Sequence, residues 1–491
     1  MSALCAIAVV GCAPPMLVLE EVATTSGPIP TATGDTMDST SLPDGTSSGP
    51  GTCGIDLTCP TMIDLLFVID NSGTMGEEQL NLARNFPMLI EELQALSDLV
   101  DVNIMVTTTD FGNPLCDDFE PADYVAAAGA PIATPCTDRL QRFTGRGTDP
   151  LVIEEACLEV CDPDAPVFPT DHFIHFGPDG TNVEGGTPAQ ALACVGPQGI
   201  DGCGYEAPLE TMLQALNFKA CWNDPFGEMD SPECTDIGRY EQPFIRDGAI
   251  TAIAIITDEA DCSVRDYGIM MDEGFMEIRP STGERADSSA ICWNAGVVCS
   301  DRDPMTGVYG GCLAANKNRD GEFGVGDDEA VLHPLSRYTQ LLQEYQARGH
   351  EVIMLGVLGV PPVTERQSEP PYAPIEGGVD ALVFHDWRDP AYPDGDILPD
   401  DWADGIMAED QQFEFGIGPG CTAVTDSYVG QAIPPVRIRT VCESLDVRDD
   451  PGTTTNEEKT RCCIESICGD DFSPALRCLT GLIRDVIEPE G

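Results

Sequence analysis

Basic residues are scarce in this chain. Lys and Arg number 24 against 84 Asp and Glu among 491 residues, for a formal net charge of −60. So little positive charge argues against nucleic acid and anionic membrane surfaces as partners, and for attraction of cations. The acids are spread along the chain rather than gathered in one tail, so a solvated surface suited to a salty medium explains them better than a dedicated calcium store. Past the N-terminus no apolar run is long enough to span a membrane. No G-x-G-x-x-G follows the first apolar strand, and G-x-x-x-x-G-K-[ST] and H-E-x-x-H do not occur, which argues against a phosphate cradle and a zincin site. Paired C-x-x-C elements are missing, and neither Cys157 with Cys161 nor Cys462 with Cys463 has zinc-ligand spacing. The 22 Cys are therefore read as disulfides of an oxidising compartment. No internal repeat is present.

The most informative stretch runs from Ile63 to Glu78. Leu65–Ile69 is a short apolar run of strand formers, as expected for a strand buried on both faces of a parallel sheet. Asp70 follows at once, then Ser72 and Thr74 at alternate positions around Gly73. A helical pattern through Leu82, Phe86, Leu89 and Leu93 comes next, with Pro87 expected to kink it. One carboxylate and two hydroxyls thus lie at the carboxyl end of a strand, where open α/β sheets bind ligands. Such oxygens suit Mg²⁺ or Ca²⁺. Asp, Ser and Thr also cap helices, and for an isolated D-x-S-x-T that explanation would win.

Two later segments shift the weight. Ala249–Thr257 is a second strongly apolar strand ending in Asp258-Glu259, and a helix marked by Leu209, Met212, Leu213 and Leu216 follows Gly204-Tyr205-Glu206. Further strands are expected at Val102–Thr109 and Val352–Val357. Further helices are expected at Leu335–Arg348, closed by Gly349, and around Val436–Leu445 and Pro474–Ile487. This alternation predicts an α/β fold with a doubly wound, Rossmann-like, mostly parallel sheet. Long disulfide-rich insertions are expected at about 111–200, 263–330 and 361–435, with 361–420 reading as surface loop. His172 and His175, beside Phe173 and Phe176, read as a packed edge rather than metal ligands.

Residues 1–12 end in Val9-Val10-Gly11-Cys12 and resemble the tail of a bacterial lipoprotein signal, which makes Cys12 the candidate lipidation site. Residues 13–52 read as a linker, dominated from 24 onward by Ser, Thr, Gly and Pro, and Cys53 and Cys59 as a staple at the domain entrance. The expected location is extracytoplasmic, as an outer-membrane lipoprotein or a secreted protein.

With Asp70-x-Ser72-x-Thr74, Glu206 and Asp258 in view, residues 53–490 resemble a von Willebrand factor type A (VWA) domain of a bacterial secreted type. The resemblance implies a metal-ion-dependent adhesion site holding Mg²⁺, Mn²⁺ or Ca²⁺ on Asp70, Ser72, Thr74, Glu206 and Asp258. Glu206 matches the second loop of integrin β subunits; Gly185-Gly186-Thr187-Pro188 offers a rival second loop, but the helix after Glu206 leads directly to the Asp258 strand. The same comparison implies further cation sites at Glu77 and Glu78 and at Asp110 and Asp201, where helix N-terminal acids are the simpler reading of Glu77 and Glu78. Separately, Asn316-x-Asn318-x-Asp320-Gly321-x-Phe323 followed by Asp327 fits a calcium loop, a polar turn being the alternative. The function implied is cation-dependent binding of a protein ligand through its carboxylate, without turnover. A metal-dependent hydrolase and a structural envelope protein with a vestigial site are the alternatives.

Overall fold

The strand after which Asp70 sits lies in the middle of the sheet. In the computed structural model, β1 (Thr61–Ile69) pairs in parallel with β2 (Val100–Thr108) on one side and β5 (Ile250–Ile256) on the other. The described residues are 61–96, 99–116, 124–145, 151–224, 242–389, 395–397, 407–424, 429–447 and 459–488. Cys12, the linker and Cys53 and Cys59 lie outside them. Beyond β5 the sheet continues in parallel through β10 (Val352–Leu358) to β15 (Cys462–Ser466). Beyond β2 it ends in two antiparallel strands, β3 (Ile174–Gly177) and β4 (Gly180–Thr181). The seven-stranded order is β15-β10-β5-β1-β2-β3-β4.

Both faces of this sheet are covered, which is why β1 is apolar at every position from Leu65 to Ile69. On one face Leu65, Phe67 and Ile69 pack with α1 (Gly76–Ala95), α3 (Pro188–Val195) and α9 (Ser473–Ile487). On the other, Leu66 and Val68 pack with α4 (Pro208–Ala215), α6 (Leu335–Ala347) and α8 (Val436–Glu443). Each fully buried side chain of this size contributes roughly 1.5–3 kcal/mol. Helix α1 continues through Pro87 to Ala95. Helix α6 stops where Gly349 takes φ +92°.

Among the parallel strands of the sheet, the last is the one that the sequence pattern did not reveal. Its neighbouring cysteines point to opposite faces, as successive residues of a strand must. Cys462 is bonded to Cys442 on α8, and Cys463 to Cys478 on α9. One strand thus staples a helix on each side of the sheet. Eight disulfides join described cysteines.

The insertions carry more structure than their composition suggests. The first holds α2 (Glu155–Leu158), β3, β4 and α3, and is braced by Cys136–Cys157 and Cys161–Cys194. His175 on β3 lies with Nδ1 2.9 Å from Asn103 Oδ1 on β2, at a packed edge. Thr187 of the rival loop caps α3 in a reciprocal pair with Gln190. The second insertion builds its own small core around Ile269, Phe275 and Ile291. Its elements are β6 (Glu277–Arg279), β7 (Glu284–Ala286), α5 (Ala290–Gly296), β8 (Val297–Ser300) and β9 (Gly311–Ala314). The stretch 361–420, expected as surface loop, instead holds a hairpin of β11 (Val363–Arg366) and β12 (Pro374–Gly377), then α7 (Ala408–Phe415). A second hairpin, β13 (Cys421–Val424) with β14 (Val429–Ala432), follows. Trp387 and Ile417 bury that stretch against the rest, which its Pro-, Asp- and Gly-rich sequence conceals.

Candidate metal centre

The chain leaves β1 for one side of the sheet through β2 and later returns to the other side through β5, so the topology switches between β1 and β5. Ligands bind in the crevice that such a switch opens at the carboxyl ends of the strands. Asp70 follows β1 and Asp258 follows β5. Asp70 N–H donates to Ile256 O at 2.9 Å, which holds the two turns side by side.

Asp70 is fully buried. Its Oδ1 accepts the Ser72 N–H at 2.8 Å and its Oδ2 accepts the Thr257 hydroxyl at 2.5 Å. The hydroxyls of Ser72 and Thr74 stand 3.3 Å apart. Glu206 arrives from the loop before α4. Ala207 N–H donates to Thr109 O at 2.9 Å, Cys262 N–H donates to Glu206 O at 2.6 Å, and the Thr109 hydroxyl donates to Glu206 Oε2. These bonds tie the turns after β1, β2 and β5 and the loop before α4 into one cluster. Five residues named from the sequence, Asp70, Ser72, Thr74, Glu206 and Asp258, therefore belong to one end of the sheet.

The electrostatics follow from crowding. Burial pushes the Asp70 carboxyl upward, against the pull of Thr257 and Ser72. Burial, then the charges of Asp70 and Asp110, push Glu206 well above the usual carboxylate range. Burial, then the charge of Asp70, push Asp258 up to about 8, with the Thr74 hydroxyl opposing. Glu259, half-buried beside it, is pushed well up by burial and by Asp258 and Asp70. Two buried oxygens, Glu206 Oε1 and Asp258 Oδ1, have no hydrogen-bond partner among the described residues. Buried acceptors normally find a donor, and crowded carboxylates normally have a counter-charge. A divalent cation would supply both, and carboxylates with hydroxyls are the donor set that Mg²⁺ and Ca²⁺ prefer, so the residues present fit such an ion. Among the described residues no three His, Cys, Asp and Glu side chains make a metal cage by themselves.

The other sequence candidates sit differently. Glu78 is buried and Glu77 exposed, both in the first turn of α1. Asp110 is buried and fully engaged: Oδ1 accepts Gly112 N–H at 2.8 Å, and Oδ2 accepts the Tyr124 hydroxyl at 2.6 Å and Cys203 N–H at 3.1 Å. Asp201 Oδ2 faces Arg142 at 3.3 Å. In the calcium-loop candidate, Gly321 takes φ +76° and Asn318 Oδ1 accepts the N–H groups of Asp320 and Glu322 at 3.1 and 3.0 Å. Asn316 Nδ2 donates to Asp327 Oδ1 at 2.8 Å, and the Ser336 hydroxyl donates to Asp327 Oδ2 at 2.5 Å. The first and twelfth positions of that loop therefore touch, on an exposed turn.

Several supporting residues had no sequence signal. Gln79, on the buried side of α1, donates to Asp70 O at 2.8 Å and Gly199 O at 2.7 Å, and accepts the N–H groups of Gln198 and Gly199. It locks the first loop to the segment leading to Glu206. Tyr124 links Asn71 to Asp110, accepting from Asn71 Nδ2 at 2.9 Å. A Gln in a helix and a Tyr in an irregular insertion look like surface residues until their partners are placed.

In comparisons with known proteins, no family model matches the chain and no curated protein matches it.

Proposed function

We propose that this protein is an extracytoplasmic binding module, similar to a VWA domain, that holds a divalent cation on Asp70, Ser72, Thr74, Glu206 and Asp258 and binds a protein ligand through its carboxylate. The observation that carries this reading is the pair of buried carboxylate oxygens at the topological switch point, Glu206 Oε1 and Asp258 Oδ1, that find no hydrogen-bond partner among the described residues. The cation, Mg²⁺ or alternatively Mn²⁺ or Ca²⁺, would neutralise the cluster and offer a coordination position to a guest oxygen. This chain's own groups hold and orient: Thr257 and the Ser72 N–H fix both Asp70 oxygens, and Thr109 fixes one Glu206 oxygen, leaving Oε1 without a hydrogen-bond partner among the described residues. The disulfides are compatible with an extracytoplasmic setting, and among the described residues no helix is long and apolar enough to cross a membrane.

The test is calorimetric titration with Mg²⁺, Mn²⁺ and Ca²⁺, together with capture of envelope proteins with and without chelator. The parent protein should bind one ion at this site and lose its captured ligand in chelator; Asp70→Ala should keep its fold and lose both. Capture that persists in chelator would overturn the mechanism. Absence of any cation-induced thermal shift would favour a structural protein with a vestigial site, and cation-dependent cleavage of a captured ligand would favour a hydrolase.

A further inference from the structure

The carboxyl ends of β1 and β5 do not open onto a flat face. They open into a cavity of about 550 Å³ whose floor includes Thr74 and Asp258. That volume lies within the range of small-ligand pockets, about 300–1,000 Å³, and is too small for a folded domain. Its walls come from two insertions: Leu151 and Ile153 from the first, and Trp387, Phe415 and Ile433 from the third.

Both walls are fixed to the candidate cation loops. Ile153 lies so close over Gly76, the first residue of α1, that a Cβ there would collide with its side chain. Ile433 N–H donates to Asp258 O at 2.7 Å. Trp387 and Phe415 stack at 5.8 Å, giving the third insertion a rigid aromatic surface. Leu151 remains 57% exposed, an uncovered apolar side chain beside a cluster of acids. Glu77, Glu78, Glu259 and Glu414 also line the cavity, so apart from a neutralised floor its lining is carboxyl-rich, with no Lys or Arg among the described residues that form it.

We infer that the ligand enters this cavity as a short peptide segment carrying one carboxylate beside a bulky apolar side chain, with no second acid nearby. The carboxylate reaches the floor at Asp258 and Thr74, the apolar side chain rests between Leu151, Ile153 and Phe415, and the acidic lining rejects guests with further negative charge. This inference rests on the cation reading above, because without a cation the floor would repel a carboxylate.

The experiment is calorimetry of the full chain, in Mn²⁺ or in EDTA, against three blocked tripeptides: acetyl-Asp-Phe-Leu-amide, acetyl-Asn-Phe-Leu-amide and acetyl-Asp-Gly-Gly-amide. In Mn²⁺ the first should bind at least about tenfold tighter than each of the others, the worth of one buried side chain or one lost carboxylate contact. Leu151→Ser, at an exposed position that does not endanger the fold, and Phe415→Ser should each weaken it about tenfold, while Mn²⁺ affinity measured without peptide stays at the parent value. Equal binding of the Asp-Phe-Leu and Asp-Gly-Gly peptides, or no effect of either wall variant, overturns the inference. So does binding that persists in EDTA or is equal for the Asn peptide. Mn²⁺ binding with no peptide binding overturns it too and leaves the cation reading standing; failure to bind Mn²⁺ removes the cation reading itself.

Discussion

Replacing Asp258 by Asn should have opposite effects with and without a cation. Asp258 is 5% exposed, and burial followed by the charge of Asp70 lifts its carboxyl from the ordinary 3.8 to about 8. At pH 7 the cation-free fold therefore keeps a proton that the unfolded chain has released. The cost is 1.36 kcal/mol per pH unit across the interval from 3.8 to 7, about 4 kcal/mol. The sign follows from a raised folded-state value: stability is full below pH 3.8, falls as pH rises, and reaches its floor near pH 8. Asn carries no such proton. In EDTA at pH 7, Asp258→Asn should be more stable than the parent by up to about 4 kcal/mol, and the gap should close towards pH 4. In a cation at one hundred times its dissociation constant, the parent should regain about 2.7 kcal/mol and the variant nothing. Urea denaturation of the disulfide-intact protein, followed by tryptophan fluorescence at both pH values, measures all four quantities. A variant less stable than the parent in EDTA at pH 7, or one that gains as much from the cation, would refute the reasoning.

Three further outcomes can be checked by melting curves and cation titration. Arg437, whose side chain is 2% exposed, donates to Asp261 Oδ2 at 2.8 Å and to His333 O at 2.7 Å, so Arg437→Met strands a buried carboxylate and should cost about 3–5 kcal/mol. The Cys116–Cys203 bond closes a separation of 87 residues and ends beside the Asp110 turn; replacing both cysteines by Ser should cost about 4–5 kcal/mol and weaken cation binding. A Cβ at Gly202 would fall inside the Asn71 side-chain amide, so Gly202→Ala should break the Asn71–Tyr124 bond and cost about 1–3 kcal/mol, whereas Gly204→Ala, which meets nothing within 4 Å, should be silent.

The strand–turn–helix unit from Leu65 through α1, the matching strand before Asp258 and the helix after Glu206 were all legible in the sequence. Each is a local pattern: an apolar run, a polar turn and a 3.6-residue period lie within a few residues of one another. The parallel sheet followed from their alternation. Strand β15 was not legible, because its five residues carry two half-cystines and a buried Glu465 whose partner, Arg366, lies 99 positions away. The hairpin and helix within 361–420 were not legible for the same reason. Their Pro, Gly and Asp content is that of loops, yet Trp387, Ile417 and Ile433 bury them against one another.

The amino-acid sequence by itself determined that acids and hydroxyls would stand at the ends of buried strands, because strand and turn propensities act over neighbouring residues. Only the tertiary structure decided that Gln79 locks two loops together, that Asp110 is taken by Tyr124 and Cys203, and that Leu151 and Phe415 wall a cavity above Asp258. Those facts depend on contacts between residues tens to hundreds of positions apart, and no local pattern encodes them.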